Sequence, residues 1–168
     1  MSTEPETDPT TITPTLVTRP AGSPMDELVA LTLEPGGVIV TGWFDADTVG
    51  RMNDEIDRYL RGHPDDGAPD TGSELYDRFL GRRTVRLHGL VAKLPETAPA
   101  LIADPRLVEW ATAVMRPSCT SVLLNAGELI QIGPGEGAQY RHRDTDSWPA
   151  LPPAETPFVV NAIVALDD

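Results

Sequence analysis

The chain has 168 residues, the size of one domain, with a hydrophobic share of 40% and a formal net charge of −13. Nucleic acid and anionic membrane would both repel so acidic a surface, and no basic cluster overrides that field. No apolar run reaches membrane-spanning length, no basic-then-apolar leader opens the chain, and the single cysteine, Cys119, cannot close an internal disulfide. A cytoplasmic protein is expected, since a lone thiol suits a reducing compartment.

Seventeen prolines and fourteen glycines favour many short elements joined by turns over a helical bundle. Residues 1–24 are rich in Thr and Pro without a hydrophobic period, which predicts a disordered tail ahead of one domain over 25–168. Glu34-Pro35-Gly36-Gly37 reads as a turn and 38–43 as a short strand. Asp45 then caps a helix in which Val49, Met52, Ile56, Tyr59 and Leu60 recur at helical spacing, with Gly62 at its end. A Gly/Pro/Asp loop follows over 63–73. Arg82, Arg83 and Arg86 read as a small solvated patch. Asp104-Pro105 opens a further helix with Leu107, Val108, Ala111, Val114 and Met115 on its buried side.

Beyond Cys119 the texture changes. Residues 120–125, 128–132, 138–144 and 158–166 read as strands, separated by Gly127, Gly133-Pro134-Gly135 and the proline-rich stretch 149–157. Helices first and strands after predict an α+β chain whose sheets form a β-sandwich or jelly roll.

The chemistry concentrates in Gln139-Tyr140-Arg141-His142-Arg143-Asp144, with Trp148 close behind. A strand would point His142 and Asp144 to the same side, supplying two of the three ligands of a 2-His-1-carboxylate iron site. The bland alternative is a histidine hydrogen-bonded to a neighbouring aspartate near a strand end. His63-Pro64-Asp65 repeats the spacing inside a turn-rich loop, where nothing fixes both side chains on one face, so it reads as surface. His88 reads as a packed or hydrogen-bonded histidine. Ser147 and Cys119 lack the strand-turn-helix elbow of a nucleophilic hydrolase. Three scattered histidines also fit poorly with the several that a cupin enzyme brings to its metal.

Taken in order, these segments resemble the phytanoyl-CoA dioxygenase family of Fe(II)/2-oxoglutarate-dependent oxygenases. The likeness rests on Gly37-Val38-Ile39-Val40-Thr41-Gly42-Trp43-Phe44-Asp45, the helix from Asp104-Pro105, Gln139-x-x-His142-x-Asp144 with Trp148, and Asn161-Ala162-Ile163-Val164-Ala165-Leu166-Asp167-Asp168. It spans roughly residues 36 to 168. It implies a double-stranded β-helix (a cupin-like jelly roll) preceded by helices. It also implies Fe(II) held by His142 and Asp144, 2-oxoglutarate and O2 as cosubstrates, and a small organic or acyl substrate. Gln139, Tyr140 and Trp148 are the expected pocket-lining residues. Relatives that halogenate leave the carboxylate position small, so Asp144 implies hydroxylation.

One departure is large. In the family a distal histidine, and an arginine that pairs with 2-oxoglutarate, follow the Leu-Asp-Asp strand, and this sequence ends there. The expectation is therefore a fragment lacking the C-terminal part of the barrel, inactive alone, with unpaired apolar strands that invite aggregation or dimerisation. The alternative is a non-catalytic, degenerate β-sandwich module without a complete metal site.

Overall fold

A computed structural model describes residues 16–67, 71–151 and 156–167. The chain divides into two compact units, one ending at Trp43 and the other beginning at Phe44.

The first unit is a β-α-β arrangement. Strand β1 (Val17–Pro20) pairs in parallel with β2 (Val38–Thr41), Val17 lying opposite Val38 and Pro20 opposite Thr41. Parallel neighbours need a crossover, and helix α1 (Met25–Leu33) provides it, burying Leu28. Gly36, at φ +92°, turns the chain into β2 in a conformation that only glycine adopts without strain. Strand β1, and with it the start of the first unit, thus falls within the stretch expected to be tail. Its partner strand lies beyond a helix, a pairing that no local period encodes. The rest of the predicted tail, residues 1–15, lies outside the described residues.

The second unit begins with α2 (Ala46–Gly62), whose cap is the predicted one: the Asp45 side chain accepts the Thr48 N–H at 2.7 Å. Met52 and Ile56 are buried, and Tyr59 and Leu60 pack against the same core. Next come α3 (Glu74–Leu80), β3 (Thr84–His88), α4 (Leu90–Lys93), α5 (Ala98–Ile102) and α6 (Pro105–Met115). Asp104 caps α6 as predicted, accepting the Leu107 N–H at 2.9 Å. Val114 and Met115 are buried, whereas Val108 of the expected apolar face is exposed.

Strand β4 (Glu128–Ile132) runs antiparallel to β3, from Thr84 opposite Ile132 to His88 opposite Glu128. Leu87 is fully buried and joins Met52, Ile56, Leu90, Leu94 and Ala98 in the core. Arg86 is no solvated residue. It bonds Glu128 at 2.9 Å and the Leu80 carbonyl at 3.0 Å. His63 does behave as a turn residue, stacking on Tyr59 with ring centroids 4.3 Å apart.

The α+β class stands, with one correction: helices and strands interleave instead of separating. Among the described residues there are two two-stranded sheets and no closed barrel. Of the four late strands expected, only 128–132 forms one. Extended chain becomes a ladder only where a partner strand meets it. Residues 158–167 have none among the described residues and are tethered by side chains instead. Asn53 of α2 donates to the Leu166 carbonyl at 2.7 Å, and Leu166 packs on the core. Ile163 of the same segment is 94% exposed. No helix among the described residues is long and apolar enough to cross a membrane.

Candidate metal centre

After the turn at Gly133-Pro134-Gly135 the chain runs irregularly to Arg143, then tightens into a short 3-10 helix, Asp144–Ser147. Local chemistry explains the tightening: the Asp146 carboxylate reaches back to the Arg143 N–H at 3.4 Å, and the Asp146 N–H donates to the Arg143 carbonyl. The expected strand over 138–144 is therefore absent. His142 and Asp144 still meet, brought together by the turn and not by strand parity. His142 Nε2 stands 3.4 Å from Asp144 Oδ1.

The orientation of each donor is set by its other polar atom. His142 Nδ1 lies 3.0 Å from the Tyr140 carbonyl oxygen. A carbonyl can only accept, so Nδ1 carries a proton and Nε2 is the ring nitrogen turned toward Asp144. Asp144 Oδ2 accepts a 2.5 Å hydrogen bond from Asn161 Nδ2, which leaves Oδ1 for the histidine side. The two side chains are 34% and 48% exposed, so a solute can reach them.

Helix α3 supports the pair. The Phe79 ring meets His142 edge-on at 4.9 Å and lies against Tyr140 at 4.8 Å. Gln139 Nε2 donates to the Phe79 carbonyl at 2.9 Å, fixing the segment to the end of that helix. Gln139, Tyr140, His142 and Asp144 are thus gathered beside Phe79. Trp148 is not. It closes the 3-10 helix through its N–H to the Thr145 carbonyl, its side chain is 44% exposed, and among the described residues no ring contact joins it to the cluster. Phe79 and Asn161 were not legible as site residues, because neither sits near the His-x-Asp spacing. The one available signal was a polar Asn161 opening an otherwise apolar run.

The donor set fits a divalent metal in part. Two donors about 2.1 Å from a metal at a right angle stand about 3 Å apart, close to the observed separation. A neutral imidazole nitrogen and a carboxylate oxygen suit iron. A third donor does not join them: among the described residues no group of three His, Cys, Asp or Glu converges. His88 is engaged elsewhere, 3.6 Å from Glu128 across the β3–β4 pair. An open cavity of about 360 Å³ lies at the C-terminal end of α6, lined by Arg116, Cys119 and neighbouring hydroxyls, and none of the cluster residues borders it.

The imidazole of His142 and the carboxylate of Asp144 thus stand together on a mixed helix-and-strand chain. The chain belongs to the phytanoyl-CoA dioxygenase (PhyH) family, which it matches over residues 33–168. It is 26% identical to the dioxygenase olcK of Penicillium canescens over 149 residues, covering 87% of this chain and 49% of that protein. Similar matches join it to the dioxygenase FrzG of a Cladobotryum species, at 26% over 155 residues (88% and 51%). The dioxygenase swnH1 of Arthroderma benhamiae is 29% identical over 132 residues (77% and 40%). The chain spans about half the length of these relatives.

Proposed function

We propose that this chain carries the iron-binding half of an Fe(II)/2-oxoglutarate-dependent oxygenase that hydroxylates a small organic or acyl substrate. One observation carries the proposal: His142 Nε2 and Asp144 Oδ1 converge while each residue's other polar atom is already engaged. Family membership and relatives named as dioxygenases support it. The double-stranded β-helix remains part of this reading.

His142 and Asp144 are the residues that hold the metal. Bound iron supplies the redox chemistry that couples oxidation of 2-oxoglutarate by O2 to substrate hydroxylation. The chain's own contributions are distinct from it. The Tyr140 carbonyl accepts from Nδ1–H of His142, which fixes the ring orientation and presents Nε2 as the ligand nitrogen. Asp144 supplies anionic charge on one oxygen and occupies the position that a halide would need. Tyr140 and Gln139 form the wall nearest the donors, and Trp148 is proposed for the rim on the resemblance alone.

A test is Fe(II) binding by the chain under anaerobic equilibrium dialysis, compared with His142→Ala and Asp144→Ala. Loss in both variants supports the reading, and undiminished binding in either removes that residue from the site. A second reading, a non-catalytic module, is favoured by the two-donor count. It predicts no specific iron binding in any of the three proteins.

A further inference from the structure

We infer that Asn161 is the positioning residue that makes Asp144 a one-oxygen metal ligand, an inference that rests on the proposed function. Asn161 Nδ2 lies 2.5 Å from Asp144 Oδ2, and the same carboxylate turns Oδ1 toward His142 Nε2 at 3.4 Å. An amide N–H is a pure donor, so it takes one of the two lone-pair sites of Oδ2 and makes that oxygen the poorer second ligand for a metal. It also fixes the carboxylate plane, which on an exposed aspartate is otherwise free to rotate.

Asn161 can serve as a hook because its own segment is anchored. Five residues on, the Leu166 carbonyl accepts from Asn53 on α2 at 2.7 Å, and Leu166 packs on the core around Met52 and Leu87. The Asn161 side chain therefore transmits the position of the core to a carboxylate at the start of a short 3-10 helix. One-oxygen binding is functionally useful, since it leaves a coordination position open for small ligands.

The experiment is a Mn(II) titration followed by the EPR signal of free Mn(II), on the wild-type chain, His142→Ala, Asn161→Ala and Asn161→Gln. Wild type binds and His142→Ala does not. Asn161→Ala weakens binding about ten- to a hundredfold, the usual effect of losing a partner that orients a metal ligand. Asn161→Gln, which keeps the donor, recovers part of that loss. Because Asn161 is exposed, thermal melting stays close to wild type in both variants, which separates positioning from folding. Equal Mn(II) affinity in wild type and Asn161→Ala would overturn the inference and leave the proposed function standing. Equal behaviour of wild type and His142→Ala would remove the proposed function, and this inference with it.

Discussion

Glu55 and Thr97 are joined twice: the Glu55 carboxylate accepts the Thr97 N–H at 2.9 Å and the Thr97 hydroxyl at 2.5 Å. A third bond comes from the Glu96 N–H at 2.9 Å, and Glu55 is only 4% exposed. A carboxylate on α2 thus serves backbone groups at the start of α5, which have no partner within that helix. Replacing Glu55 by Ala strands those donors in a buried site. The expected loss is about 3 kcal/mol, since each unsatisfied buried donor costs roughly 1–3 kcal/mol. Urea denaturation measures it.

The same carboxylate gives stability a pH dependence of definite sign. Burial alone would raise its pKa, but the Thr97 hydroxyl and the Glu96 and Thr97 amides outweigh burial and hold it below the usual range. Hydrogen bonds from Lys93 and then Tyr59 likewise lower Asp66. A folded-state pKa below the unfolded one stabilises above the unfolded value, and the benefit is lost as pH falls through the folded value. Melting temperature should hold from neutral pH to about 5 and then fall steadily below about 4, where free carboxylates titrate. The fall should be shallower in Glu55→Gln. A melting temperature that rises on acidification would contradict the assignment.

Leu87 and Ile163 make a matched pair, because one is fully buried and the other 94% exposed. Leu87→Ala should cost about 3 kcal/mol, in the range for emptying a packed leucine site. Ile163→Ala should change stability by less than about 0.5 kcal/mol, as surface substitutions do. Denaturant midpoints of the two variants test the placement of the core.

Phe79 backs both His142 and Tyr140, whereas among the described residues no ring contact joins Trp148 to either. Phe79→Ala should therefore weaken Mn(II) binding about tenfold, as loss of ligand support does, while Trp148→Ala stays within about twofold. Reversal of that order would place the indole, not the phenyl ring, beside the metal.

The parts of this fold that could be read in the sequence are those written in consecutive residues. Helix α2 was legible because Asp45, the Met52 and Ile56 spacing, and Gly62 all agree, and α6 because Asp104-Pro105 opens it. Strand β4 declared itself between glycines. Strand β1 and the β3–β4 pairing depend on partners dozens of residues away, so no window contained both sides. The His142–Asp144 pair was legible by spacing, although a turn delivers it where a strand was expected. Phe79 and Asn161 reach the site from other segments, and only the folded chain shows them there.

The central claim is that His142 and Asp144 hold iron together. Anaerobic Fe(II) titration in the presence of 2-oxoglutarate, followed by visible charge-transfer absorption, tests it on wild type, His142→Ala and Asp144→Ala. A band that saturates in wild type and is lost in both variants is the predicted result. The same band in all three proteins, or none in any, would contradict it.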